Sequence, residues 1–144
     1  MADFKFIYPV VSWVVIDGDT ALLERDKGEH NYDHRYCRLC GVDTPETRHY
    51  RANPCGALEK QAGLLVKGVV EDWLAGIPAG ELMVASVALD KYARRFIGRL
   101  ARFGDMENDL SSFLLANGFA LPYDGGKKAK WTKAKLTDIV KRLG

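Results

Sequence analysis

Short apolar segments separated by polar pairs dominate the N-terminal part of the chain, a pattern typical of strands joined by tight turns. Apolar and β-branched residues make up most of Phe6–Ile16 and Thr20–Leu23. The intervening Asp17-Gly18 predicts a hairpin turn, because glycine accepts the positive φ that such turns need. After a polar loop, a third strand is predicted over about Arg35–Gly41.

The middle of the chain predicts one long amphipathic helix. Asn53-Pro54 is a favourable start, with asparagine as the N-cap and proline at the first helical position. Apolar residues then recur at helical spacing as far as Ala75, and Gly76-Ile77-Pro78 ends the helix.

Two more strands and two more helices are predicted in the second half. The strands lie near Leu82–Leu89 and Phe96–Phe103, a short helix covers about 108–116, and apolar spacing from Trp131 to Leu143 indicates a final helix. The order β-β-β-α-β-β-α-α is that of a five-stranded OB-fold barrel. We therefore expect an α+β fold with about three helices, in one domain spanning residues 1–144.

Composition and charge narrow the class of protein. The chain is 47% hydrophobic and 28% charged, as in ordinary globular proteins, and it has no apolar run of about 18 residues that would predict a membrane span. The N-terminus lacks the features of a secretory signal. We therefore expect a cytoplasmic protein, or a secreted one if a leader precedes this sequence, with no membrane partner.

The charge is unevenly distributed along the chain. The formal net charge is only +2, but seven Lys/Arg and two Asp follow from Asp124 onward, so this tail carries +5. A basic tail on a mildly acidic body indicates a polyanionic partner, although such tails are more often solvated helix faces.

The three cysteines leave two interpretations open. Cys37, Cys40 and Cys55 cannot all pair within one chain, so free thiols in a reducing compartment are the simpler one. The spacing His34-x-x-Cys37-x-x-Cys40 also permits a zinc site with Cys55 as fourth ligand. Residues three apart on a strand point to opposite faces, however, which disfavours zinc.

Charged residues interrupt the apolar pattern at three strand ends. These are Asp17 and Asp19 after the first strand, Arg38 with Asp43-Thr44-Pro45-Glu46 around the third, and Arg94-Arg95 before the fifth. Carboxylate oxygens suit a hard cation such as calcium. Arginine binds phosphate oxygens in a fixed fork, and a free carboxylate beside a metal can activate water. The combination suits phosphodiester chemistry.

At these three places the chain resembles the staphylococcal nuclease (thermonuclease) family. The segments are "IDGDT" at 16–20, "RLCGVDTPET" at 38–47 and "DKYARR" at 90–95, in the family's order. The resemblance implies an SNase-like OB-fold and a calcium-dependent endonuclease, a hydrolase acting on DNA and, as a further option, RNA. It also implies in-line attack by water, with 3′-phosphate and 5′-hydroxyl products. No protein partner is inferred.

Carried over position by position, the resemblance assigns the site residues. Asp19 and Asp43 would bind Ca²⁺ through their side chains and Thr44 through its carbonyl. Glu46 would be the general base acting on water. Two arginines would hold the scissile phosphate, and the matching positions are Arg38 and Arg94.

The resemblance also assigns residues around this centre. Lys91 and Tyr92 match positions that contact nucleotide phosphates, Tyr123 matches a tyrosine lying along the nucleotide, and Asp17 matches a carboxylate near the metal. The chain departs from the family at Ala93, where glycine is usual, and Arg95 follows directly. Either arginine could therefore be the second phosphate ligand, and we favour Arg94.

A different class of function fits the same fold. OB-type barrels often bind single strands through a basic groove and stacking aromatic side chains, without catalysis. A non-catalytic single-stranded nucleic-acid-binding module is therefore the alternative hypothesis. A zinc-stabilised module is the third.

Overall fold

The computed structural model describes residues 6–48, 56–90 and 94–144. The predicted helix start at Asn53-Pro54 lies outside these residues. The strands are β1 (Ile7–Asp17), β2 (Thr20–Asp26), β3 (Tyr32–Leu39), β4 (Val42–Asp43), β5 (Leu82–Leu89), β6 (Arg95–Arg102) and β7 (Leu121–Pro122). The helices are α1 (Gly56–Ala75), α2 (Leu110–Ala116) and α3 (Lys133–Leu143).

Five of the strands close into a barrel in the order β1-β2-β3-β6-β5. The first three form an antiparallel meander, β3 pairs with β6 in parallel, and β5 pairs antiparallel with both β6 and β1. This mixed barrel with its three helices is an OB-fold-like α+β architecture, as the order of predicted elements indicated.

One apolar core joins the barrel to the helices. Phe96 and Leu100 from β6 are buried in it together with Leu74 from α1 and Leu136 and Ile139 from α3. Burying such side chains is the main stabilising contribution to a fold of this size. Among the described helices, none is both long and apolar enough to cross a membrane.

The predicted hairpin turn at Asp17-Gly18 is present, but the reason for glycine in it is not the predicted positive φ. Asp17 pairs with Thr20 across the hairpin, and Gly18 does not have a positive φ. A Cβ at Gly18 would instead lie 2.8 Å from the Thr44 hydroxyl oxygen. Glycine is therefore required for close approach to Thr44, not for the conformation of the turn.

Two short strands, β4 and β7, were not predicted from the sequence. Val42 pairs with Pro122 and Asp43 with Leu121, so β4 and β7 form a small antiparallel ladder outside the barrel. The Tyr123 N–H also donates to the Gly41 carbonyl at 3.0 Å. These bonds bring the segment after β7 beside Asp43.

Candidate functional site

A cleft of about 760 Å³ opens at one end of the barrel. It is bordered by the β1–β2 turn, the end of β3, the loop after β4, the start of β6 and the segment after β7. Its charged lining residues are Asp17, Asp19, Arg38, Glu46, Asp90, Arg95, Asp124 and Lys128. Five acidic and three basic side chains thus converge from distant parts of the sequence.

Arg38 links two buried carboxylates at the base of the cleft. Its Nη1 lies 2.8 Å from Asp19 Oδ2, and its Nη2 lies 3.5 Å from Asp43 Oδ1. All three side chains are about nine-tenths buried. Charges removed from water in this way need partners of opposite sign, and here each has one.

Strand register explains why Arg38 and Asp19 meet. Thr20 on β2 is the partner of Arg38 on β3, and the Leu39 N–H donates to the Asp19 carbonyl at 2.8 Å. The Thr44 N–H donates to Asp19 Oδ2 at 3.1 Å, which joins the hairpin turn to the segment after β4. The turn, β3 and β4 therefore form one hydrogen-bonded unit.

Lys128 approaches two of the acidic side chains from the segment after β7. Its Nζ lies 3.4 Å from Asp43 Oδ1 and 3.3 Å from Glu46 Oε1. Burial by itself would lower the pKa of Lys128, but the two carboxylates outweigh it and the pKa is raised. Lys128 is therefore a cation at this position.

Burial also changes the protonation of the two carboxyl groups. It raises the pKa of Asp43 above its ordinary value, and Lys128 and Arg38 offset only part of this effect. The pKa of Glu46 is raised for the same reason, with Lys128 again acting in the opposite direction. Charge repulsion from Asp19 adds to the increase at both groups. Both carboxyl groups therefore hold a proton to higher pH than exposed ones do.

The loop that carries Glu46 is attached on two sides. The Glu46 N–H donates to the buried Glu59 carboxylate of α1 at 3.0 Å. On the other side, the Thr47 hydroxyl donates to Asp17 Oδ1 at 2.6 Å. Asp17 therefore holds this loop against the hairpin turn.

The two adjacent arginines, Arg94 and Arg95, lie in different environments. Arg95 lines the cleft and forms an ion pair with Asp90. Arg94, favoured above, is exposed, has a positive φ of 67° and does not line the cleft. The other predicted residues of this segment, Lys91, Tyr92 and Ala93, lie outside the described residues.

The Tyr123 ring lies close to two of the cations. The Arg38 Cζ is 5.4 Å from the centroid of its ring, and the Lys128 Nζ is 6.0 Å from the same point. Cations at such distances are attracted to the aromatic face. Tyr123 therefore adds an aromatic contact to Arg38 and Lys128 at the wall of the cleft.

The donors at the base of the cleft fit a hard cation. Asp43 Oδ1 and Thr44 Oγ1 are buried and accept or donate no hydrogen bond, although Asp43 Oδ1 has the two ion pairs described above. In the described ranges no three His, Cys, Asp or Glu residues come together as a metal group. A cation held here would therefore need hydroxyl, carbonyl or water oxygens besides Asp19 and Asp43, and calcium accepts all of these.

His34, Cys37 and Cys40, the described members of the suggested zinc site, do not come together as a zinc site would require. Cys37 is fully buried in β3, Cys40 is partly buried at the cleft, and the His34 side chain is largely exposed beside Glu24. Across the residues described, these three do not form a metal group. Cys55 lies outside the described residues.

Sequence reasoning did not single out Glu59 or Lys128 as residues of the site. Glu59 lies on the buried face of α1 with Ala62, Val66 and Val70, so an acidic residue on an apolar stripe was the available signal. Lys128 stands among several lysines of the basic tail, and nothing local distinguishes it from them.

Comparison with known proteins finds no protein-family model that matches the chain. It also finds no match among curated proteins.

Proposed function

We propose that this protein is a calcium-dependent nuclease of the staphylococcal nuclease type that hydrolyses phosphodiester bonds in DNA, with RNA as a further option. The observation that carries the proposal is one cleft lined by Asp19, Glu46, Arg38 and Arg95, with Asp43 paired to Arg38. A binding surface for a polyanion needs cations but gains nothing from buried carboxylates, whereas phosphodiester hydrolysis uses both.

Asp19, Asp43 and Thr44 are the residues that would hold the calcium ion. Asp19 and Asp43 would use their carboxylate oxygens and Thr44 its carbonyl oxygen, and these are the hard donors that calcium prefers. Asp43 Oδ1 is buried and faces Arg38 and Lys128. When bound, calcium supplies positive charge that stabilises the developing negative charge on the phosphate.

Two arginines would bind the scissile phosphate. Arg38 is fixed at the base of the cleft by its two carboxylate partners, and Arg95 enters from the start of β6, beside Asp90. Their planar, positively charged guanidinium groups can donate paired hydrogen bonds to phosphate oxygens. Arg95 therefore replaces Arg94 in the proposed site.

Glu46 would take the proton from the attacking water. Its carboxylate lines the cleft, and the loop that carries it is fixed through its N–H by Glu59. Water attacking in line with the 5′-oxygen would leave a 3′-phosphate and a 5′-hydroxyl. Because the proposed contacts go to phosphate rather than to bases, we expect little sequence selectivity.

Cleavage of labelled single-stranded DNA after dialysis against chelator, with and without millimolar calcium, tests this proposal. We expect calcium-dependent cleavage, and at least about a hundredfold loss in Glu46→Gln and in Asp43→Ala because each removes a group acting on the transition state. Glu107→Gln, an exposed acidic residue away from the cleft, is the matched control and should cleave at the wild-type rate. Unchanged cleavage in both site variants would refute the mechanism.

The alternative, an OB-fold module that binds single-stranded nucleic acid without cleaving it, is favoured by one observation. Asp19 and Asp43 already have cationic partners in Arg38 and Lys128, so each of these two carboxylates is paired without an added ion. Salt-dependent binding of the labelled strand with no cleavage at any calcium concentration would support this function instead.

A further inference from the structure

Lys128 stands in a different environment from the other lysines of the basic tail. Its ammonium lies 3.4 Å from Asp43 Oδ1 and 3.3 Å from Glu46 Oε1, inside the cleft. The adjacent Lys127 is exposed and does not line the cleft. One lysine of the pair therefore contributes to the site, and its neighbour does not.

The backbone brings Lys128 to this place. The β4–β7 ladder pairs Asp43 with Leu121, and the Tyr123 N–H bonds to the Gly41 carbonyl. The next residues turn back toward the cleft, with the Gly126 N–H donating to Asp124 Oδ1 at 2.9 Å. Asp124, Gly125 and Gly126 all line the cleft before Lys128 enters it.

The two cations that contact Asp43 differ in how firmly they are held. The Arg38 side chain is 8% exposed and also contacts Asp19, whereas the Lys128 side chain is 47% exposed. An ammonium on a flexible, partly solvated stem can leave its partner at modest cost, but a buried guanidinium with two carboxylate partners cannot. Lys128 is thus the cation that an incoming ion can replace.

We propose that Lys128 is the internal counter-ion of Asp43 and Glu46 and that it competes with a divalent cation for Asp43. The inference rests on the proposed function, because it assigns the calcium site to Asp43. In the metal-free protein Lys128 forms an ion pair with each of the two carboxylates. A calcium ion binding Asp43 must displace or repel this ammonium, which weakens calcium binding.

Calcium titration of the metal-free protein by isothermal calorimetry, without nucleic acid, tests the competition directly. Lys128→Met removes the charge and keeps most of the stem, and we expect it to bind calcium at least about tenfold more tightly because a like charge beside the site is gone. Lys128→Gln is a second variant with the same expectation. Lys128→Arg keeps the charge and should bind calcium at close to the wild-type affinity.

Lys127→Met is the matched control, since it removes the same charge one residue away. Its effect should stay below about twofold, because an exposed charge outside the cleft is screened. Thermal unfolding of each metal-free variant checks that the fold is intact.

The outcomes separate the two proposals. Equal calcium affinity in Lys128→Met and Lys127→Met would overturn the role of Lys128 and leave the calcium site intact. Absence of saturable calcium binding in the wild type and in every Lys128 variant would overturn the calcium site as well, and with it the proposed function.

Discussion

Gly63, in the middle of α1, packs so closely against the Glu46 carbonyl oxygen that a Cβ atom added to Gly63 would overlap it. The same added Cβ atom would lie 2.7 Å from the Pro45 carbonyl oxygen. Real Cβ atoms do not come this close to backbone, so no larger residue fits at Gly63 without moving the loop. One helical turn away, Glu59 accepts the Glu46 N–H. Together Gly63 and Glu59 determine where the backbone of Glu46 lies.

We expect Gly63→Ala to displace the Pro45-Glu46 segment and to lower the free energy of unfolding by about 1–3 kcal/mol, because a methyl group would overlap backbone atoms. If the protein is a nuclease as proposed, its cleavage of DNA should fall further than the loss of stability alone explains. Urea denaturation and DNA cleavage measured on the same preparations would show both effects.

Gly68→Ala in the same helix is the matched control for this substitution. Nothing lies within 4 Å of its Cβ position, so alanine should stabilise the helix by roughly 0.5–1 kcal/mol. If Gly63→Ala behaved like Gly68→Ala, the close packing of α1 against the loop would not limit the position of Glu46.

Arg94 and Arg95 provide a second adjacent pair with different environments. If Arg95 binds the phosphate, Arg95→Ala should reduce cleavage at least about a hundredfold, because a charge-stabilising group is lost. Arg94→Ala should cleave at a rate within about threefold of the wild type, because Arg94 is exposed and does not line the cleft, so it cannot stabilise charge on the phosphate there. The reverse order of the two rates would return the assignment to Arg94.

The buried Arg25 forms a bidentate pair with Asp33 on the opposite strand, at 2.8 and 2.6 Å. We expect Asp33→Asn to cost about 2 kcal/mol of stability at neutral pH, because it leaves the buried Arg25 charge without a carboxylate partner. Urea denaturation of the two proteins at neutral pH measures this difference.

The same pair predicts a pH dependence. The hydrogen bond from Arg25 holds the pKa of Asp33 below its ordinary value of 3.8, despite partial burial. Since the folded pKa is the lower one, this stabilisation is present above pH 3.8 and is lost as the pH falls through the folded pKa. The difference in free energy of unfolding between wild type and Asp33→Asn should therefore shrink below pH 3.8. A difference that stayed constant with pH would contradict the ion pair.

Cys37 and Cys40 should differ in reactivity. Burial raises the pKa of the Cys37 thiol to about 12, whereas Cys40 is partly exposed at the cleft. Because the thiolate is the reacting species, we expect iodoacetamide at about pH 8 to modify Cys40 at least about a hundredfold faster. Trypsin cleaves after Arg38, so mass spectrometry can quantify the two thiols separately.

Denaturant is the control for that experiment, since unfolding should remove the difference between the two thiols. Comparable alkylation of both in the native protein would mean that β3 opens readily, and would contradict a buried Cys37.

Local patterns were sufficient to predict most of the fold. Alternating and β-branched residues define the barrel strands, and helical spacing defines α1 and α3, because these signals depend on neighbours in sequence. The third strand begins at Tyr32 rather than Arg35, and β4 and β7 were missed. A two-residue ladder carries almost no periodicity, so it exists only through its partner in the folded chain.

The sequence by itself determined the barrel and the local clusters of charge at Asp19, Arg38 and Glu46, because turn chemistry and short motifs lie within a few residues. Only the tertiary structure decided which charges share the cleft. Lys128 meets Glu46 across 82 residues, and Arg95 faces the cleft while Arg94 does not. Such contacts depend on how separate elements pack and on the backbone conformation at a turn, and neither is recorded in the spacing of residues along the chain.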